Sequence, residues 1–296
     1  MHSITPTNIP FSSQIQEAAI KRLAAIYPCI DVSVIGYSLK NRPIHALSVG
    51  CGPVSYIYNA SHHANEWITS VILTRFAEDI AQEMHPAWQS WAAGNEPASI
   101  PNRFYPWYER YTLHMVPMVN PDGVDIVTSG NDNTWKANAR GVDLNSNYPA
   151  GWELARTHKY ARGYTSPGPR DYVGPHPLSE PESMAMAAYT QVTDCALTLS
   201  LHTQGEVIYW MYRDYMPTGA AELAARLSKA SGYELEDVPD ESSHGGYRDW
   251  FIEKFNRPGY TIECGYGESP LPISDFNGIY KQVYPLMIEP LSGFLC

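Results

Sequence analysis

The amino-acid sequence predicts one α/β domain with a mixed central sheet flanked by helices. Short apolar runs typical of buried strands alternate with longer runs of helical periodicity along the whole chain. No repeat, low-complexity tract or linker divides the 296 residues, and 44% hydrophobic residues suffice for a large core. We therefore expect residues 1–296 to form a single domain, with residues 1–35 as an N-terminal helical extension packed on it.

The first half of the sequence gives a helix, two strands and a second helix. Apolar residues recur every three or four positions in both helices, and the strand runs are rich in β-branched and aromatic residues. We expect Pro28 and Pro86 to end the helices, because proline cannot continue a helix. The expected elements are a helix over 12–27, strands over 44–49 and 54–60 around a Gly-Cys-Gly-Pro turn, a helix from Glu66 to about Met84, and a long surface loop over 86–108.

The second half alternates further strands and helices around one long irregular segment. Residues 129–182 are dense in Gly, Pro, Asn and Arg, and a loop of that length is usually functional. Ser179 is expected to cap the helix that follows, with Glu182 as its reciprocal partner. The other expected elements are a strand over 111–119 closed by an Asn-Pro-Asp-Gly turn, strands over 196–201 and 207–211 that pair with each other, a helix over 218–231 stopped by Gly232, a helix ending at Phe255, a strand over 259–262, and a closing helix over 275–291 interrupted at Pro285.

Charge argues against several classes of partner, and cysteine content indicates the compartment. The 20 basic and 31 acidic side chains give a net charge of −11, which argues against nucleic acid and anionic membrane surfaces. No apolar run reaches transmembrane length. The five cysteines are odd in number and lack CxxC spacing, which favours free thiols and a reducing compartment. Residues 1–13 do not resemble a signal peptide, so we expect a cytoplasmic protein, with secretion or association with a spore or cell wall as the alternative.

The stretch from Ser61 to Thr69 is the first candidate for a functional site. It joins the end of a buried strand to the start of a helix, where open α/β sheets place their sites. His63 and Glu66 are three residues apart, and an imidazole and a carboxylate at that spacing can hold a divalent metal. His62, four residues before Glu66, is the competing ligand.

Two further candidates, His202 and Glu263, follow other apolar strands and are expected at the same edge of the sheet. Two histidines and one glutamate leave a fourth zinc position for water, which is typical of a catalytic site. Glu263 would then serve as general base and pass the proton to a leaving amine. The alternatives are a buried His202 bonded to backbone, and an ion pair of Glu263 with Arg248 or Arg257.

Six motifs in one order make the sequence similar to a known family. They are His63-Ala64-Asn65-Glu66, Asn120-Pro121-Asp122-Gly123, Gly141-Val142-Asp143-Leu144-Asn145, Ser179-Glu180-Pro181-Glu182, Ser200-Leu201-His202 and Thr261-Ile262-Glu263. From about residue 36 to residue 285, the chain resembles the zinc carboxypeptidases, the carboxypeptidase A-like metallopeptidases. The resemblance makes residues 1–296 a zinc peptidase catalytic domain.

The resemblance also implies roles for individual residues. It places one Zn²⁺ per chain on His63, Glu66 and His202, with Glu263 as general base and acid. Family members stabilise the oxyanion with a cation near the Gly-Val-Asp-Leu-Asn segment, a large term in acyl transfer. Lys136 and Arg140 are the two candidates for that cation.

Two departures from the family pattern concern substrate recognition. Typical members read Asn-Arg-Asn where this chain has Asn145-Ser146-Asn147, and that arginine grips the substrate's terminal carboxylate. Glu241 stands where the tyrosine of the substrate lid is usual. Asn145, Ser146 and Glu241 are therefore the candidates for substrate binding, with changed specificity.

The segment from His202 to Trp210 resembles a bacterial branch, the γ-D-glutamyl-meso-diaminopimelate peptidases. The expected function is hydrolysis of that bond in a peptidoglycan stem peptide, whose diaminopimelate carries an ammonium and a carboxylate at its far end. One alternative is a conventional zinc carboxypeptidase that holds its substrate through Arg140 or Arg213. The others are a non-catalytic zinc-dependent protein that binds cell-wall peptides, and a zinc deacylase of small amino-acid amides.

Overall fold

The computed structural model describes residues 3–94, 105–239 and 243–292. These residues form an eight-stranded mixed sheet with strand order β1-β2-β4-β3-β5-β8-β6-β7. The strands are β1 (Asp31–Tyr37), β2 (Pro43–Gly50), β3 (Val54–Ala60), β4 (Tyr111–Val116), β5 (Leu197–His202), β6 (Val207–Tyr209), β7 (Glu234–Leu235) and β8 (Gly259–Glu263). The helices are α1 (Ser13–Ile26), α2 (Ile68–Ala92), α3 (Tyr105–Tyr108), α4 (Pro121–Thr128), α5 (Trp152–Ala161), α6 (Pro181–Val192), α7 (Ala220–Ser231), α8 (Tyr247–Phe255) and α9 (Phe276–Ile288).

Helices cover both faces of the sheet, so the predicted single α/β domain is confirmed. Alternate residues of β3 enter opposite cores, as the period of a strand requires. Tyr56 and Tyr58 belong to the core that includes Phe76 of α2, whereas Ile57 belongs to the core that includes Phe251 of α8. Among the described residues, no helix is both long and apolar enough to span a membrane.

The four central strands place the site. β4, β3, β5 and β8 are mutually parallel, so their carboxyl ends meet at one edge of the sheet. Ala60 at the end of β3 pairs with Leu201, and His202 at the end of β5 pairs with Glu263 of β8. The register therefore brings the predicted His202 and Glu263 side by side.

Three expectations about the first half of the chain are corrected. Helix α2 continues through Pro86 to Ala92, because its apolar face goes on beyond the proline and Ala87 is buried in the core. The Asn-Pro-Asp-Gly segment begins helix α4 rather than a turn, and Asn120 caps it by accepting a 3.0 Å hydrogen bond from Gly123 N. Residues 31–35 open the edge strand β1 instead of belonging to a helical extension.

The second half differs from expectation in four places, and one of them is that helix α9 continues through Pro285 without interruption. Residues 129–182 contain helix α5, which sequence periodicity did not indicate. β6 pairs with β8 and β7 rather than with β5, because β8 lies between β5 and β6. Glu180 rather than Ser179 takes the cap position of α6, and Ser179 Oγ donates to Glu180 Oε1 at 2.9 Å. The predicted stop of α7 at Gly232 is confirmed, with φ at +82°.

Candidate active site

Three side chains from distant parts of the chain converge at the carboxyl edge of the sheet. The Nδ1 atoms of His63 and His202 lie 3.1 Å apart, and each lies 2.8 Å from a different oxygen of Glu66. All three residues are buried, and their ligand atoms lie within 4.8 Å of one another. Two imidazole nitrogens and a carboxylate facing one point are the donor set of a catalytic zinc site. The residues present therefore fit zinc.

Backbone geometry and short hydrogen bonds hold these side chains in place. The chain turns sharply after β3 at Ser61, whose φ is +52°. Thr69 Oγ1 accepts a 3.1 Å hydrogen bond from Ser61 N and donates a 2.7 Å bond to the carbonyl oxygen of Glu66. His202 is the last residue of β5 and is fixed by its ladder with β8. The ligands are positioned by the fold itself.

Electrostatics favour the metal-binding protonation states of Glu66 and His202, whereas burial acts to lower the pKa of His63 but Glu66 and Asp143 outweigh it and raise that pKa. Burial alone would raise the pKa of Glu66, but the adjacent His63 and His202 hold it well below its usual range. Burial lowers the pKa of His202, which favours its neutral form. An ionised carboxylate beside a neutral imidazole is the form in which these groups ligate metals.

His62, the competing ligand, lies outside this cluster. Its Nε2 atom lies 3.0 Å from the hydroxyl oxygen of Tyr148, and its side chain is fully buried. Burial lowers the pKa of His62 well below the usual value, so it is a neutral core histidine. The spacing of three from Glu66, rather than four, selects the histidine that reaches the cluster.

Asp143 is a site residue to which sequence reasoning assigned no role. Its Oδ1 lies 3.2 Å from His63 Nε2, the nitrogen on the far side of the ring from the cluster. The charges of His63 and Lys136 keep the pKa of Asp143 low although burial opposes this. A carboxylate in this position orients the imidazole and fixes its tautomer. The Gly-Val-Asp-Leu-Asn motif was the signal that could have identified it.

Glu263 faces a cavity of about 320 Å³ that His63 also lines. Within the described parts of the chain, no hydrogen bond to its carboxylate is present. The two arginines considered as partners are engaged elsewhere: Arg248 Nη2 lies 2.5 Å from Asp249, and Arg257 Nη1 lies 2.7 Å from Asp194. The Glu263 carboxylate is therefore available in the cavity.

The surroundings of Glu263 increase its affinity for a proton. Burial, followed by the charge of Glu66, raises the pKa of Glu263 to about 8, against the opposing charges of Lys136 and His63. A carboxylate of this kind at the edge of a cavity can accept and return a proton.

The two candidate cations for the oxyanion are placed differently. Lys136 lines the cavity, and its backbone carbonyl accepts a 3.0 Å hydrogen bond from Ala64 N, close to the ligands. Burial acts to lower the pKa of Lys136, but Asp143 and Glu66 outweigh it and raise the pKa, so the ammonium stays charged. Arg140 is half exposed, and its Nε lies 3.7 Å from Glu180 on the outer side. Only Lys136 of the two lines the cavity.

The predicted substrate-binding residues are partly described. Asn145 and Ser146 both line the cavity, and Asn145 Oδ1 accepts a 3.0 Å hydrogen bond from Tyr247 N. Glu241 lies outside the described residues. Asp249, which the sequence offered beside Glu241 as a partner for the substrate ammonium, is buried in the same cavity wall, as is Arg248, which the sequence offered only as an ion-pair partner of Glu263.

A buried His-Glu-His donor set at the carboxyl edge of a mixed sheet, with a free carboxylate beside it, defines a zinc hydrolase. The model of the zinc carboxypeptidase family matches residues 16–285, and the chain belongs to this family. It is a zinc metallopeptidase with the carboxypeptidase A-like fold.

Comparison with individual proteins gives closer relatives. The chain is 39% identical over 291 residues to gamma-D-glutamyl-L-diamino acid endopeptidase 1 of Lysinibacillus sphaericus, covering 92% of this chain and 70% of that protein. It is 36% identical to the uncharacterized protein YqgT of Bacillus subtilis, covering 90% and 73%. The solved structure of thrombin activatable fibrinolysis inhibitor superposes with a TM-score of 0.77 at 19% identity, covering 98% of this chain and 77% of that one, and shares the fold.

Proposed function

We propose that this zinc peptidase hydrolyses the amide bond between the γ-carboxyl of D-glutamate and diaminopimelate in peptidoglycan stem peptides. The observation that carries the proposal is the 39% identity to an endopeptidase whose name specifies γ-D-glutamyl-L-diamino acid bonds. The cavity agrees with it, because Ser146 stands where an exopeptidase needs an arginine for the terminal carboxylate.

In the proposed mechanism, each site residue has one task. His63, Glu66 and His202 would hold the zinc ion, and Asp143 keeps the His63 ring oriented. Zinc bound there supplies a Lewis acid that lowers the pKa of water and polarises a carbonyl. Glu263 takes the proton from the attacking water and delivers it to the departing amine of diaminopimelate.

Lys136 supplies the positive charge for the oxygen of the scissile carbonyl. Its ammonium lines the same cavity as Glu263 and stays protonated beside Asp143 and Glu66. A fixed cation in a water-poor site stabilises charge that develops in the transition state, and it needs no rearrangement to do so.

The alternatives fit the cavity less well. The conventional carboxypeptidase considered from the sequence would hold a terminal carboxylate through Arg140 or Arg213, and neither lines the cavity, although Arg162, Arg170 and Arg248 do. Arg213 Nη1 instead lies 3.2 Å from Glu253. A non-catalytic binding protein would have no need for an unpaired Glu263 facing the metal ligands.

The test is digestion of two substrates by the zinc-loaded protein. One is L-alanyl-γ-D-glutamyl-meso-diaminopimelate, and the other is a hippuryl dipeptide of the kind that carboxypeptidases cleave. We expect mass spectrometry to detect L-alanyl-D-glutamate and free diaminopimelate from the first. Cleavage of the hippuryl dipeptide alone would contradict the proposed function.

A further inference from the structure

Arg248 places a buried guanidinium in the wall of the active-site cavity. Its side chain is 5% exposed, and it lies in the first turn of helix α8. A buried cation is costly, and the positive end of the helix dipole makes this position worse for one. A charge retained under such conditions needs an anionic partner.

One anion, Asp249, is already present and holds the guanidinium in a fixed orientation. Arg248 donates to Asp249 Oδ1 from Nε at 3.2 Å and from Nη2 at 2.5 Å. The other oxygen, Oδ2, accepts from Gly246 N at 3.3 Å and caps the helix. Both oxygens of Asp249 are therefore occupied, and Asp249 acts as a positioning residue for Arg248.

The rest of the guanidinium remains available. Its carbon Cζ lies 5.9 Å from the ring centroid of Tyr209, which also lines the cavity. Across residues 3–94, 105–239 and 243–292, Nη1 of Arg248 has no hydrogen-bond acceptor. A planar guanidinium with one edge held by the protein can present its remaining donors to a carboxylate.

The start of α8 packs against the segment that lacks the usual arginine. Tyr247 N donates to Asn145 Oδ1 at 3.0 Å, and Tyr148 N donates to Gly245 O at 2.9 Å. At Gly245, where φ is +74°, an added Cβ would lie 3.0 Å from Ser146 O, so only glycine allows this approach. Arg248 thus brings a guanidinium to the wall where Ser146 provides none.

We propose that Arg248 binds the carboxylate at the far end of the diaminopimelate side chain. This proposal rests on the proposed function, because it names the group by which that substrate is selected. Lysine is diaminopimelate without this carboxylate. Arg248 therefore makes the enzyme distinguish the two kinds of stem peptide, because a lysine-containing stem brings no carboxylate to the free Nη1 edge of the guanidinium.

The first experiment uses the unaltered zinc-loaded protein and two substrates that differ only in this group. They are L-alanyl-γ-D-glutamyl-meso-diaminopimelate and L-alanyl-γ-D-glutamyl-L-lysine. We expect kcat/KM to be about 100-fold higher for the first, mainly through KM, since a charge-assisted pair in a buried site is lost with the second. Equal values would overturn the role of Arg248 while leaving the proposed function in place.

The second experiment repeats the comparison with Arg248→Gln, with Arg162→Gln as the matched control. Arg162 is an exposed cation that lines the same cavity, so its replacement changes the net charge equally. We expect the substrate ratio to fall to near 1 in Arg248→Gln and to stay unchanged in Arg162→Gln. An unchanged ratio in Arg248→Gln would contradict the proposal.

Two further measurements distinguish loss of the Arg248 role from misfolding and from failure of the proposed function. Arg248→Lys keeps the charge opposite Asp249 but loses the planar fork, so it should keep the zinc content and reduce the ratio. If neither γ-D-glutamyl peptide is cleaved, the proposed function fails. In that case, the ratio of kcat/KM for peptides ending in glutamate to kcat/KM for peptides ending in lysine tests Arg248. A preference for glutamate that Arg248→Gln removes supports a carboxylate site. No preference refutes it.

Discussion

The two walls of the cavity are built in different ways. One wall belongs to residues at or just after the ends of parallel strands, namely His63, Glu66, His202 and Glu263, of which His63 and Glu263 line the cavity. The other consists of loop segments and one helix start, which supply Lys136, Asp143, Asn145, Ser146 and Arg248. Backbone ladders fix His202 and Glu263 in the strand wall, whereas buried side-chain hydrogen bonds fix the loop wall.

Asn138 illustrates how the loop wall is held. Its Nδ2 donates to Glu180 Oε2 at 2.7 Å and to Glu182 Oε2 at 3.2 Å, which ties the loop to helix α6. Its Oδ1 accepts from Arg140 N and Val142 N, both at 3.0 Å. The difference between the walls suggests a division of work, with hydrolysis on the strand wall and substrate choice on the loop wall.

Removing the proposed general base, Glu263, should have the largest effect. We expect Glu263→Gln to lower kcat about 10³- to 10⁴-fold, because the amide cannot accept the proton of water. Zinc content should remain at one ion per chain, because Glu263 is not among the three clustered donors. Steady-state kinetics and metal analysis check both points, with Glu268→Gln, the same change on an exposed residue, as control. Normal turnover in Glu263→Gln would refute the division between the walls.

Lys136 tests whether the loop wall also takes part in the chemistry. We expect Lys136→Met to lower kcat about 10²- to 10³-fold, because the cation acts on charge that exists only in the transition state. Lys136→Arg should recover part of the rate, since it restores the charge. A rise in KM with unchanged kcat would instead make Lys136 a substrate-binding residue, and the two walls would be fully separate.

The strand wall could be predicted from patterns in the sequence, whereas the loop wall was reached only through the family resemblance, which indicated Lys136, Asn145 and Ser146 but not Asp143 or Arg248. An apolar run that ends in His202 or Glu263 predicts both a strand and the residue at which that strand ends. His63 and Glu66 could be recognised by their spacing next to such a run. Arg248 carried no comparable signal, because its position depends on how the start of α8 packs against Asn145. Contacts between segments far apart in sequence leave no periodicity to read.

The anchoring of the loop wall to α6 should depend on pH. Burial raises the pKa of Glu182 to about 7, although hydrogen bonds from Leu39 N and Asn138 oppose the shift. A group whose pKa is raised in the folded state stabilises the protein fully below its unfolded pKa, and this contribution is lost as the pH rises to about 7. We therefore expect the unfolding free energy to lose roughly 3 kcal/mol from this group between about pH 4.5 and 7.

Urea unfolding of the wild-type chain and of Glu182→Gln over this range isolates that contribution. The glutamine keeps the size of the side chain but does not titrate, and all other groups are common to both proteins. We expect the unfolding free energy of the wild-type chain, relative to that of Glu182→Gln, to decrease as the pH rises over this range. Parallel curves would show that Glu182 does not titrate between these limits and that the loop anchor is insensitive to pH.

Asp143 forms a side-chain contact between the two walls, and its removal should have the smallest of these effects. The residue belongs to the loop wall, yet its Oδ1 lies 3.2 Å from His63 Nε2 of the strand wall. Asp143→Asn keeps the shape but replaces the ionised acceptor, so we expect zinc affinity to fall about 10- to 100-fold. Competition with a chelator measures this affinity, and Asn145→Ala, which alters the same loop without touching His63, is the matched control. If both variants lose affinity equally, the loop as a whole positions the ligand; if only Asp143→Asn does, one carboxylate couples the substrate-selecting wall to the metal.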